Sequence, residues 1–391
     1  MSKAIDVIVI GGGINGVSIL FHLAKHGARV ALLEKDFIAA GPTGKSSAVI
    51  RQHYSNPVTA RLALKSLQVW RNFADLVGGD CGFTQTGFLI AVSPQDVDGL
   101  KANIALQQSV GINTRFVSPD EIQELEPFAN VSGLGGGAYE PEAGYCDASS
   151  AANSFAQSAR RLQAQVHTGV TATAIEIAGD VVQGVHTDQG FFPAPKVVLA
   201  GGPWSNRLLA SLGLELPLIA ARVKTALFRR PGDFIRHCIW GDFVNQIYVR
   251  PETGNLMLVG SISPAEAEDQ VSNPDSFNEQ VDLEIISDFA EKTAQRFPLM
   301  KQSHLAHSFA ALYDITPDWH PVIDTAPGCT GLYVCAGSSG HGFKLSPAVG
   351  MMVARLVLEG KQPGDDLQLF AWDRFKRGDL VRGRYAYSIV G

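Results

Sequence analysis

The chain has 391 residues, 46% hydrophobic and 18% charged, with a net charge of −6. That length exceeds one compact core and predicts two domains. A negative charge without a long basic run excludes the electrostatic footprint needed for DNA, RNA or an anionic membrane. The five cysteines (Cys81, Cys146, Cys238, Cys329, Cys335) are scattered and never in C-x-x-C spacing, and no H-E-x-x-H or paired Cys/His set occurs. No metal site is therefore expected, and the thiols read as reduced in a soluble, cytoplasmic protein.

The most informative stretch comes first. Residues 6–10 form a short apolar run of buried-strand length, and Gly11, Gly13 and Gly16 follow with the spacing of a phosphate-binding turn. The apolar side formed by Ile14, Val17, Leu20 and Leu23 predicts a helix that Gly27 ends, and residues 29–33 read as the next strand. Glu34 closes that strand 18 residues beyond Gly16, where such folds hydrogen-bond an adenosine ribose. An acid there disfavours a 2′-phosphate, so FAD or NAD is expected rather than NADP. The glycines, Asp6 and Asn15 argue against reading residues 5–24 as a membrane span, and no basic leader precedes them.

Residues 37–54 are rich in Gly, Ser and Thr and predict a loop with a short helix folding over the cofactor. Helical periodicity runs over 57–77, a strand over 86–92 and an amphipathic helix over 94–110, followed by a proline- and glycine-broken stretch to Tyr145. Asp147 caps a predicted helix over 148–163; a β-rich stretch covers 165–187 and an apolar strand 196–200. Residues 217–262 are mostly strand-like, a helix is predicted over 278–297, and strand pattern resumes over 306–313. The last block repeats the opening logic: strand 331–336, glycine turn 337–342, helix 346–359. Parallel α/β material at both ends and in the middle implies a discontinuous cofactor domain with a second, largely antiparallel unit inserted twice.

Three segments resemble the FAD-dependent amine oxidoreductases that include D-amino acid oxidase, glycine oxidase and sarcosine oxidase. They are the 11–34 unit, the run Gly44-Lys45-Ser46-Ser47-Ala48-Val49-Ile50-Arg51-Gln52-His53-Tyr54, and Gly337-Ser338-Ser339-Gly340-His341-Gly342-Phe343-Lys344. Intermediate matches fall at Ala200-Gly201-Gly202-Pro203-Trp204 and Thr316-Pro317-Asp318. The resemblance implies an α/β fold with a discontinuous, glutathione-reductase-like Rossmann domain (1–84, 142–216, 322–391) binding FAD. A largely antiparallel α+β substrate domain (85–141, 217–321) is inserted in it. Cofactor contacts are then expected from Gly11, Gly13, Ile14, Asn15, Gly16, Glu34, Lys35, Ser46, Ser47, Val170, Ala200, Gly201 and Trp204. Gly340, Gly342, Phe343 and Lys344 complete that set at the flavin face.

The same resemblance assigns Arg51 and Lys344 to a substrate carboxylate, a pairing of planar fork and point charge suited to holding one anion. Tyr313 and Tyr248 are candidates to line the pocket, and His341, with His53 and His320, to polarise flavin or substrate. Ala311 stands where a covalent-FAD cysteine would lie and Cys146 where a covalent-FMN histidine would, so FAD is expected to be non-covalent. Met257 aligns with an oxygen-activating lysine, which leaves open whether O2 or another redox acceptor takes the electrons. The implied reaction is oxidation of the C–N bond of a small secondary or tertiary amino acid (sarcosine, another N-substituted glycine, iminodiacetate or a proline-like compound), by hydride transfer to flavin N5, giving an imine that hydrolyses. A 2-hydroxy-acid or glycerol-phosphate oxidoreductase on the same scaffold, and a non-catalytic nucleotide-binding subunit, are the alternatives. A partner subunit is possible.

Overall fold

The computed structural model describes residues 4–234, 238–362 and 366–382. Its nucleotide-type sheet has six strands in the order Val322–Thr325, Leu332–Ala336, Val197–Leu199, Val7–Ile10, Val30–Glu34, Gln165–Thr168. All neighbours are parallel except the first pair. Alternation explains why its strands are apolar throughout: Val7, Val9 and Leu32 pack into a helical layer, while Ile8, Ile10 and Leu33 pack into a cluster on the opposite face. The helices Ile14–Lys25, Pro57–Arg71, Ala148–Arg161 and Gly342–Glu359 make the first layer; the antiparallel meander Ala172–Ala178, Val181–Thr187, Gly190–Pro193 contributes to the second.

The helix after the glycine turn and the last long helix cross closely. A Cβ on Gly350 would come 2.2 Å from Ser18 Oγ, which itself donates to Ser346 O at 2.8 Å. Pro347 lies inside that last helix and has no N–H to give the Phe343 carbonyl, and Ser346 Oγ donates to it instead at 2.9 Å. The helix is thereby carried through its proline.

The second large sheet has eight strands: His304–Ile315, Ile219–Arg229, Leu256–Ser261, Ile247–Glu252, Ile239–Asp242, Phe88–Val92, Gly136–Glu140, Arg115–Val117. It is antiparallel apart from the pairing of Ile239–Asp242 with Phe88–Val92. A small sheet of Val49–Ile50, Gly144–Tyr145 and Thr84–Gln85 fixes the chain just before Arg51.

Several boundaries differ from the sequence reading. The expected helix over 57–77 breaks at Asn72 into Pro57–Arg71 and Phe73–Leu76, and the start of the 94–110 segment is a 3-10 turn, Pro94–Asp96, before Val97–Ser109. No helix forms over 37–54, which folds as turns and one two-residue strand. The broken stretch to Tyr145 holds three strands and the helix Pro119–Leu125, which the Ser118–Glu121 capping box starts. The helix expected over 278–297 begins at Leu283, because the carbonyls of Glu279 and Gln280 are taken by Ala310 N and Arg222 Nη2. The last helix starts at Gly342 rather than Ser346, which puts Lys344 inside its first turn.

Near the chain's end, Arg374 and Asp318 form a buried two-pronged ion pair (2.8 and 2.9 Å), each side chain 1% exposed. Arg374 Nη2 also donates to His320 O. No helix among the described residues is long and apolar enough to cross a membrane.

Candidate active site

A cavity of about 830 Å3 runs from the glycine turn of the parallel sheet to the antiparallel sheet. Its nucleotide end is shaped by missing side chains. Gly11 has φ +109° and a Cβ there would sit 2.4 Å from Ala200 O; on Gly16 it would sit 1.9 Å from Gly11 O. Only glycine allows the turn to close so tightly on the next strand. Glu34 stands at the lip, its two oxygens accepting from Gly12 N at 2.6 Å and Asp36 N at 2.8 Å. Each carboxylate oxygen retains a lone pair for a further donor such as a ribose hydroxyl.

Gly11, Gly13, Ile14, Asn15, Glu34, Lys35, Ser46 and Ser47 all line this cavity, as do Val170, Ala200, Gly201 and Trp204. Gly16 does not; it serves the turn's closure. Thr43, absent from the sequence reading, also lines it and accepts from Ile14 N at 3.0 Å. Its signal was only its place in the Gly-rich loop. Ser46 Oγ accepts from Ala48 N at 3.0 Å.

At the other end Tyr248, Tyr313, Gly340, Gly342 and Phe343 line the same volume. Gly340 (φ +82°) lies under Tyr313, whose ring would meet a Cβ at 2.6 Å, and Gly260 does the same for Tyr248 at 2.4 Å. Asp314 anchors the 337–342 turn by accepting Gly337 N at 2.7 Å, and Ser339, at φ +49°, donates its N–H to Asp314 O at 2.9 Å. Burial raises the Asp314 carboxyl to about 6.

Arg51, Lys344 and His341 lie behind this lining rather than on it, 6%, 8% and 3% exposed. Arg51 donates to His53 O and packs over Tyr54 (4.8 Å) and Phe88 (5.9 Å). Lys344 Nζ turns back to Gly340 O at 3.3 Å, while Trp70 Nε1 holds its carbonyl at 3.0 Å. Burial, and then the nearby Arg51 charge, push the Lys344 ammonium well below its ordinary value. Neither cation makes an ion pair among the described residues. Glu140 is the nearby acid: burial lifts it to about 7, Gln52 N donates to it at 2.8 Å, and its other oxygen is buried without a partner.

The three histidines are held as neutral rings by burial, with His53 pushed down to about 3 and His341 and His320 lowered. His341 Nδ1 meets Tyr54 OH at 3.1 Å; its Nε2 and Asn15 Oδ1 are buried without a hydrogen-bond partner among the described residues, and both residues line a small pocket of about 10 Å3. The structure does not bring His341 to the main cavity.

Met257 is fully buried in the core with Phe228, Trp240 and Val259 and does not line the cavity, so it marks no site there. From the antiparallel sheet a lysine does reach the cavity: Lys224, paired with Asp269 at 2.7 Å and 3.9 Å from Glu266. Ala311 lines the cavity too, and the five cysteines are free. Among the described residues no cluster could hold a metal ion.

Comparison with known proteins agrees with this geometry. The chain is 28% identical over 385 residues to a glycine oxidase of Geobacillus kaustophilus, covering 96% of this chain and 98% of that one. It is 25% identical over 396 residues to a sarcosine oxidase subunit beta of an Arthrobacter species, covering 99% and 95%. The crystal structure of L-proline dehydrogenase from P. horikoshii superposes with a TM-score of 0.89 at 26% identity, covering 97% of this chain and all of that one. The family model described as DAO, FAD dependent oxidoreductase, matches residues 6–356, a stretch that holds the glycine cradle, the acid at its lip and the turn at the far wall, and the chain is a member of the FAD dependent oxidoreductase family.

Proposed function

We propose that this enzyme oxidises the C–N bond of a small amino acid bearing a secondary or tertiary amine, such as sarcosine, another N-substituted glycine, iminodiacetate or a proline-like compound. The observation that carries the reading is the pair of buried cations, Arg51 and Lys344, that repel one another and make no ion pair among the described residues. A carboxylate is the ligand that would relieve both. The relatives named above act on glycine, sarcosine and L-proline, which supports an amino acid as that ligand.

FAD supplies the two-electron acceptor for hydride from the substrate carbon. The chain's own residues do the rest by placement. Lys344 leaves Gly340 O to meet the carboxylate, Arg51 offers its fork beside it, and Tyr313 and Tyr248 wall the substrate. Glu34, the glycine turn and the cavity-lining residues around it hold FAD, and Ala311 offers no thiol for a covalent link. Reoxidation uses O2 or another acceptor, and the sarcosine oxidase subunit beta relative supports a partner subunit as one source of that acceptor.

The test is anaerobic titration of the purified yellow protein with sarcosine, iminodiacetate, proline, 2-hydroxyglutarate and glycerol 3-phosphate. Flavin bleaching by one or more of the amines, and not by the hydroxy compounds, is expected. Bleaching by a hydroxy compound alone would replace the amine assignment.

A further inference from the structure

Between the strand Leu256–Ser261 and the helix Leu283–Arg296 the chain leaves the antiparallel sheet, crosses to the nucleotide end of the cavity and returns. Its departure is pinned where Arg222 N donates to Asp269 O at 2.8 Å and Val271 N to Ala220 O at 2.7 Å. Its return is pinned where Ala310 N donates to Glu279 O at 2.8 Å. In the middle, three donors from the parallel-sheet side converge on one carboxylate: Lys35, Arg207 and Trp204 Nε1 all reach Asp275, the last at 2.7 Å. Lys35 also lies over the Trp204 ring at 4.0 Å. One turn further along the crossing, Lys45 pairs with Glu279 at 2.5 Å and sits over the Phe277 ring at 5.6 Å.

These anchors are not arbitrary surface residues. Lys35 directly follows the ribose-site acid Glu34, Lys45 lies in the Gly-rich loop, and all of them line the cavity together with Pro274, Asp275 and Phe277. We propose that residues 273–279 form a strap that closes over the adenosine and diphosphate half of FAD and governs how fast the cofactor leaves, with Asp275 as its latch. The inference rests on FAD occupying the cavity described above.

Charge argues for a latch rather than a ligand. Asp275 is anionic: burial works against its charge, but the donors from Lys35, Arg207 and Trp204 hold the carboxyl well below its usual range. An anion is a poor direct partner for a diphosphate, so Asp275 contributes by tying the strap to Lys35 and Arg207. Each pair is partly hydrated, with side chains 34–48% exposed, and is weak alone. Opening the strap breaks them together.

The experiment uses holoenzyme diluted into flavin-free buffer, following the rise of free-FAD fluorescence. Asp275→Asn keeps the side chain's shape and an acceptor for Trp204 while removing the charge, and should speed release about three- to thirty-fold. Lys35→Gln, altered from the opposite side, should speed it about two- to fivefold. Raising salt from about 0.05 to 0.5 M should accelerate release from wild type and do much less in Asp275→Asn, because screening removes what the substitution has already removed. If Asp275→Asn does not fold, Lys35→Gln and the wild-type salt series decide. Release at the wild-type rate in both variants overturns the strap; slower release overturns it as well, showing that Lys35 and Arg207 serve the diphosphate better when freed. A wild type purified without flavin would instead remove the cofactor assignment on which the strap rests.

Discussion

Lys344→Met tests the substrate end and makes two effects of opposite sign. In the resting protein Lys344 is a liability: it is 8% exposed, its ammonium has Gly340 O at 3.3 Å as its one hydrogen-bond partner among the described residues, and it is penalised first by burial and then by Arg51. Its folded-state pKa lies below the ordinary 10.5, so the unfolded chain binds the proton more tightly. The lysine's unfavourable contribution to stability therefore shrinks as pH rises toward the lysine range, and methionine, of similar length and uncharged, should match or exceed wild-type stability, most at low pH. In the complex the sign reverses. Removing one partner of a desolvated charge contact costs about 2–5 kcal/mol, and since Arg51 remains as second cation the lower part of that range applies, roughly a 30- to 150-fold loss of affinity. Rapid-mixing flavin reduction over a range of substrate concentrations separates binding from hydride transfer, and an amide analogue without the carboxylate should show almost no difference between the two proteins. Wild-type half-saturation in a fully FAD-loaded Lys344→Met would refute the clamp.

Acid precipitation should release all the yellow colour into the supernatant, since Ala311 offers no thiol; colour retained in the washed pellet contradicts that. Glu34→Ala should weaken FAD by about 1.5–3 kcal/mol, and Glu34→Gln, which keeps one acceptor for Gly12 or Asp36, by less; equal FAD dissociation constants across the three proteins by equilibrium dialysis would place the ribose elsewhere. Glu140, raised from 4.5 to about 7, holds a proton in the folded state that the unfolded chain has released, so its contribution to stability falls as pH rises between those values. Glu140→Gln should flatten that slope, gaining on the order of 2–3 kcal/mol over wild type by pH 8 relative to pH 4.5. Asp314, raised in the same sense, adds a slope of the same sign, and the buried histidines His53, His320 and His341, lowered by burial, add slopes of the opposite sign. Parallel denaturation-versus-pH curves for the two proteins would show that Glu140 does not titrate there.

The nucleotide end was legible because its constraints are local. Strand, turn and helix at 7–25 are fixed by apolar runs and by glycines whose absent Cβ atoms make room for neighbours a few residues or one strand away, and Glu34 follows by spacing. The resemblance then marked the far wall, where Tyr313 and Gly340 do pack together. What sequence could not show was depth. Arg51, His341 and Lys344 sit in matching motifs, yet whether each faces the cavity or lies behind it depends on rotamers held by Tyr54, which meets Arg51 and His341, and by Gly340 O, which meets Lys344. Met257 was misread for the same reason: pairing register placed it on the sheet face packed into the core. Lys224 and the 273–279 crossing went unnoticed because their partners lie across sheet pairings and across the cavity.

The strand order of the parallel sheet sets a timetable for making the protein. Val7–Ile10 leaves the ribosome first, but its neighbour Val197–Leu199 comes much later, and that strand's other neighbour, Leu332–Ala336, later still. At about 5–20 residues per second the opening unit waits roughly 15–65 s for the sheet to be completed. During that interval the face of Ile8, Ile10 and Leu33 lacks the cover that residues 170–216 bring, and the pairings the sheet awaits are among the most distant in sequence that the chain makes. Nascent chains stalled before residue 332 should accordingly depend on chaperones and hold no FAD, because the wall that Ser338, Gly340, Gly342 and Phe343 give the cavity has not yet been made.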